Sequence, residues 1–489
     1  SSRRSPLAVL LVGTLLSECP AVPAAETQER SQIDPRYTWD LGVMYATPEA
    51  WNQHYQEISA QIDELARLRG TAANGPAALA RLLQARDQLN VQLEKLYAYA
   101  RMRHDEDMRQ TGPQGVVQRA QTLAVRYDEA TSWLSPELLQ IPEATLKTWL
   151  QDEKALQVYA HFFDDLIRSR KHILSPREEE LLAMSSKATG AADEVFSLLT
   201  NTELRWRTAT DPAGREVRVT SPVFYQAMDS KDRRYRQEVF TALHESYLDV
   251  KASLAATLAG ALHRDWYRAK ARGYASSLEA SLDAENLPVS VYHNLVETIG
   301  RHTPLLHRYV ALRKKALRLD AVHFYDLYVN LADAPSGEYT VEQARQLVLE
   351  GVRPFGAEYV EAMELAFRSR WIDVYENAGK RSGAYNMGTY LSPPYVLLNF
   401  KGTFGDVSTL AHELGHAMQS EFARRSQPPV YSGYPMFTAE VASTAAEIAF
   451  KRSLLARTQD RRERARLLNE MIDDVRQTVF RPTQFAEFD

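Results

Sequence analysis

Asp406-Val-Ser-Thr-Leu-Ala-His-Glu-Leu-Gly-His-Ala-Met-Gln-Ser-Glu421 carries His412, Glu413 and His416 in an H-E-x-x-H spacing. Helical positions four apart stand one above the other on a single face, so the two imidazoles can hold one metal ion together. Glu413 projects roughly 100° round the helix from His412, beside such an ion rather than onto it. A carboxylate there can take a proton from a metal-activated water. Val407, Leu410, Leu414 and Met418 recur at helical spacing, so this helix is predicted to bury one stripe in the core and leave the histidines off it. Asp406 is expected to cap it. Gly415, between the histidines, costs roughly 1 kcal/mol in a helix interior; close approach by another backbone would repay that. With 12 histidines in the chain, a chance match of this motif arises in roughly one chain in fifty of this length. The metal reading therefore needs a third ligand.

Downstream, Gln427-Pro-Pro429 and Gly433-Tyr-Pro435 break the helix, and a second helical pattern runs from Phe437 to Arg457. Glu440, Thr444 and Glu447 share one face of it. Ala439, Ala442, Ser443, Ala445 and Ala446 around them permit close helix packing. A reversing loop between the helices can bring Glu440 against His412 and His416. Two histidines and one glutamate, with a fourth position open, are the ligand set of a catalytic zinc ion. Glu447 or Thr444 can then hold the other ring nitrogen of a ligand histidine. Upstream, the glycine- and tyrosine-rich Gly383–Tyr390 leads through Ser392-Pro-Pro-Tyr395 into Val396–Phe400, a strand-like run whose prolines predict an edge strand. An edge strand beside a metal site can pair with an extended peptide. Tyr385, Tyr390 and Tyr434 are candidates to contact it or support the site, and these three with Tyr431 are candidates to stabilise the reacting oxygen.

The rest of the chain sets the frame. It has 489 residues, 45% hydrophobic and 25% charged, with a net charge of −5 and both signs interspersed. That describes a soluble globular protein and gives no footprint for nucleic acid. Arg3 and Arg4, the apolar run Leu7–Leu16 and small residues up to Ala25 read as a signal peptide over residues 1–25. The expectation is export, to a bacterial periplasm or beyond, with a cytoplasmic location if this segment is not a signal. The run is too short to span a bilayer. Cys19, the single cysteine, lies inside it, so no disulfide is expected. Helix signals fill residues 26–200, among them Thr47-Pro48, Gly75-Pro76 and Gly112-Pro113. Strand-like runs follow at Glu203–Thr208 and Arg215–Thr220 around an Asp211-Pro-Ala-Gly214 turn. A boundary is placed at 200, with the metal-bearing domain over 201–489. The remaining histidines, and Asp326 among its aromatics, are read as structural. The fold class is mainly α with a small β element beside the motif helix.

G-A-Y, P-P-Y-V-L-L-N-F, T-L-A-H-E-L-G-H and F-T-A-E-V-A-S-T-A-A-E together resemble the catalytic region of oligoendopeptidase F, in the thimet oligopeptidase family of zinc peptidases. Weaker similarity covers most of residues 35–489. The resemblance implies two helical lobes round a deep channel and endoproteolysis of short peptides. Residue by residue, it implies one zinc ion on His412, His416 and Glu440, with Glu413 as general base. Family members continue past the position of Asp489 with a histidine and tyrosines that stabilise the reacting oxygen, whereas no histidine follows His416 here. A chain incomplete at its C-terminal end is therefore expected. Two other readings stay open: a zinc-containing peptide-binding protein with an impaired site, and a zinc carboxypeptidase or dipeptidase on the same ligands. Oligomeric state is left open.

Overall fold

In the computed structural model, residues 28–332 and 339–488 are described. The signal-peptide reading of residues 1–25 lies outside them. Helices dominate. The predicted starts hold: the Thr47 side chain accepts the Ala50 N–H at the head of Pro48–Ala66, and Pro76 and Thr111 open the long helices Pro76–Asp105 and Thr111–Thr131. Only one of the two strand-like runs matches closely. The hairpin pairs β1 (Thr208–Thr210) with β2 (Glu216–Arg218), so the first strand begins where the predicted run ends. The Asp211 carboxylate explains the shift. It accepts the N–H groups of Ala213 and Arg215, which anchors the turn and sets the register outward from it.

Among the described residues, most buried apolar side chains fall into two clusters, and these do not divide at residue 200. The larger unites Trp51, Ile58, Leu79, Leu96 and Phe163 of the N-terminal helices with Tyr395, Leu410, Leu414, Met418 and Phe450 of the motif region. The smaller lies round the hairpin, with Val219, Phe224, Met228, Val239 and Tyr325. This is the form the two-lobed, mainly α architecture takes. Each fully buried Leu or Phe contributes about 1.5–3 kcal/mol, so the N-terminal helices are part of the platform that carries the motif. Asp326 is structural, as expected: it is fully buried and ion-paired to Arg233 and Arg236.

A three-stranded sheet lies against the motif helix, in the order β3 (Ile372–Asp373), β5 (Ser392–Leu397), β4 (Tyr385–Thr389). The expected edge strand, β5, is thus central. It runs parallel to β3 and antiparallel to β4. Its prolines are tolerated because neither neighbour needs their missing N–H. The β3 ladder begins only at the Val396 N–H, and the pairing with β4 is irregular between Met387 and Thr389, opposite the prolines. Gly388 sits in that irregularity, where a Cβ would lie 3.1 Å from the Pro394 side chain. β3 and β4 are the two edge strands.

The motif helix runs Phe404–Ser426. Its cap is Thr403 rather than Asp406. The Thr403 hydroxyl accepts the Asp406 N–H at 3.1 Å, and the Asp406 carboxylate accepts the Thr403 N–H at 2.9 Å. This reciprocal box satisfies two donors with one pair of side chains, which a cap at Asp406 would not. Thr403→Ala is expected to lower stability by about 1 kcal/mol, read by chemical denaturation.

Candidate active site

One helical turn separates His412 from His416, and their rings stand 4.8 Å apart at 87°. Val407, Leu410, Leu414 and Met418 are buried beneath them, which turns the histidine face outward. The second helix, Met436–Arg457, crosses directly against this face. Gly415 permits the contact: a Cβ on it would lie 2.6 Å from Ser443 Cα and 2.9 Å from the Ala442 carbonyl oxygen. The two backbones touch, so Glu440, three residues before Ser443, arrives over the histidines. One carboxylate oxygen lies 3.5 Å from His412 Nε2 and the other 3.7 Å from His416 Nε2. The three donor atoms fall within 4.8 Å of one another, the sole such group of His, Cys, Asp and Glu among the described residues. Donors about 2.0–2.1 Å from a tetrahedral zinc ion stand roughly 3.3 Å from each other. The donor set and its spacing therefore fit that ion with little movement.

Behind His412, Glu447 occupies the place foreseen for a supporting residue. Its Oε2 lies 3.3 Å from His412 Nδ1, and its Oε1 accepts from the Ser408 hydroxyl at 2.7 Å and from the Lys451 ammonium. Burial alone would raise the Glu447 pKa. The bond to His412 and the charge and bond of Lys451 outweigh it and bring the pKa down to about 2. For His412, burial opposes the charged ring, but the Glu447 bond and the nearby carboxylates leave a net upward shift. Thr444, the alternative support, is exposed and makes no hydrogen bond to either histidine among the described residues. Ser408 and Lys451 were not foreseen, although the signal was there: Ser408 lies four before His412, and Lys451 four after Glu447.

Glu413 is buried beside the donor cluster. Burial chiefly, with the Glu440 charge, pushes its carboxyl up to about 7, against opposing contributions from His412 and the Asn386 backbone N–H. Asn386 belongs to β4, so this edge strand and Glu413 are neighbours. Its side chain also ties β4 down, donating to the Tyr395 carbonyl and accepting from Ser420. Ser420 in turn bonds the Tyr434 hydroxyl at 2.6 Å. Tyr434 and Tyr390 line a cavity of about 360 Å³ between β4 and the loop before the second helix. The other tyrosines point elsewhere. Tyr385 donates to the fully buried Asp105 at 3.0 Å, and the Tyr431 hydroxyl accepts the Phe162 N–H at 3.0 Å. Both join the N-terminal helices to the motif region instead of facing the donors.

The pattern of Peptidase family M3 matches residues 226–489, and that of Oligopeptidase F matches residues 137–206. The chain belongs to peptidase family M3. As an M3 peptidase it is 38% identical over 466 residues to oligopeptidase PepF of Bacillus subtilis, spanning 95% of this chain and 70% of that one. It is 36% identical over 463 residues to the group B oligopeptidase PepB of Streptococcus agalactiae, spanning 95% of this chain and 77% of that one. The crystal structure of oligoendopeptidase-F from Enterococcus faecium superposes with a TM-score of 0.68 at 31% identity, over 90% of this chain and 74% of that chain. The first match holds both motif helices and the β4–β5 pair within one family unit, and the hairpin precedes it.

Proposed function

We propose that this peptidase is a zinc-dependent endopeptidase of short oligopeptides, in which His412, His416 and Glu440 hold the metal and Glu413 is the general base. The observation that carries the reading is the closure of Glu440 onto both histidines, with Glu413 buried alongside. When bound, the ion would polarise the scissile carbonyl and lower the pKa of a water molecule. The chain's own groups do the rest. Glu413 takes the proton of the attacking water and returns it to the leaving nitrogen, a role suited to a buried carboxylate beside the donor cluster. Glu447 keeps the His412 Nδ1 hydrogen turned inward, which leaves Nε2 free as a donor. The edge strand β4 offers backbone groups to an extended peptide next to Glu413. The names of the relatives PepF and PepB support an oligopeptide substrate.

The test is hydrolysis of an internally quenched peptide blocked at both ends, with metal analysis of the same sample. Internal cleavage, about one zinc per chain, loss of activity with a chelator and recovery with added zinc are expected. His416→Ala is expected to lose both zinc and activity. Chelator-insensitive cleavage sinks the metal reading, and a strict need for a free terminus moves the enzyme to the carboxypeptidase or dipeptidase class.

A further inference from the structure

Lys451 is buried in the second helix, its side chain only 5% exposed. Its ammonium lies between Glu447, one turn earlier, and Asp474 on the helix Arg461–Val475. An unpaired buried ammonium is costly, so the two carboxylates explain how Lys451 is tolerated. They do not explain its use. The use follows from how Glu447 shares its two oxygens. Oε1 receives both the Ser408 hydroxyl and Lys451, while Oε2 is left to His412 Nδ1 at 3.3 Å. With its two other donors gathered on one oxygen, the carboxylate is held in one orientation and its remaining oxygen faces the imidazole. The Nδ1 hydrogen then points to Glu447, and the Nε2 lone pair points toward Glu440. A glutamate without the lysine would be free to turn, and the ring with it.

We propose that Lys451 is a positioning residue of the metal site. Acting through Glu447, it sets the orientation and tautomer of His412, and it couples the site to the helix Arg461–Val475 through Asp474. The inference rests on the zinc reading above. It extends the support of the metal site one residue further than its immediate neighbours, onto an element that bears none of the ligands.

Zinc titration of the metal-free full chain against a competing chromophoric chelator tests it without recourse to catalysis. Lys451→Met is expected to weaken zinc binding roughly 10–100-fold, the range typical for groups that orient a metal ligand. Lys451→Arg, which can still donate to both carboxylates, is expected to recover most of that. In a double-mutant cycle, Lys451→Met should add little once Glu447 is glutamine, because the lysine acts only through that residue. Should Lys451→Met fail to fold, Asp474→Asn carries the test: it loosens the ammonium from the half-exposed outer end and should also weaken zinc binding. Unchanged zinc affinity in Lys451→Met, or in Asp474→Asn where that variant carries the test, overturns the proposal, as does full additivity in the cycle. A wild-type chain that binds no zinc overturns the zinc reading itself, a result distinguishable from either.

Discussion

Glu413→Gln is expected to fold, keep its zinc and lose peptide hydrolysis by about 10²–10⁴-fold in kcat/KM, the span over which positioned acid–base groups act. Glutamine keeps the shape and can still accept the Asn386 N–H, so neither the motif helix nor β4 should move. The residue is buried, and a neutral amide costs less to desolvate than a carboxylate. The midpoint of unfolding should therefore not fall. Metal content, unfolding and steady-state kinetics on one preparation separate the cases. Loss of zinc together with activity would assign Glu413 to the metal, and retained activity would remove it from the mechanism.

Gly415→Val should act on the other half of the site, by geometry instead of chemistry. A Cβ at 2.6 Å from Ser443 Cα meets backbone, which cannot rotate away. The two helices must part, at a cost of about 1–3 kcal/mol for overpacking. Glu440 is carried on the helix that moves, so zinc retention should fall with stability. Gly415→Ala gives the sharper sign. In an unobstructed helix it would stabilise by roughly 1 kcal/mol; here it is expected to destabilise and to weaken zinc binding. A more stable alanine variant would refute the close approach, and with it the reason a glycine stands between the two histidines.

The parts of the site written in local spacing were legible before any coordinates. His412, Glu413 and His416 follow from a single helical repeat, and Glu440 with Glu447 from another. Their meeting required only that two helices pack face to face, which the run of alanines and Ser443 made plain. What escaped was set by partners distant in sequence. Whether β5 is an edge or a centre depends on Ile372–Asp373, a strand too short to leave a pattern. Tyr385 and Tyr431 resembled groups of the active site because nothing nearby told that Asp105 and Phe162 would claim their hydroxyls. The cap at Thr403 was missed for a smaller reason. Asp406 is a good cap by type, but the reciprocal bond with a threonine three residues earlier satisfies more donors.

Helix periodicity is a property of consecutive residues, so the chain alone determined the mainly α class, the motif helix with its buried stripe, and which side chains share the face opposite that stripe. Tertiary packing decided the rest. It joined the N-terminal helices and the motif region into one core across residue 200, put β5 at the centre of its sheet with β4 at an edge, and put Lys451 behind Glu447. Each of those outcomes turns on which distant surface buries which, a competition among many nearly equal contacts that no local pattern encodes. The donor triad itself stands between the two. Its members could be read from spacing, but the 3.5 Å and 3.7 Å separations exist only because a glycine on one helix lets the backbone of the other touch it.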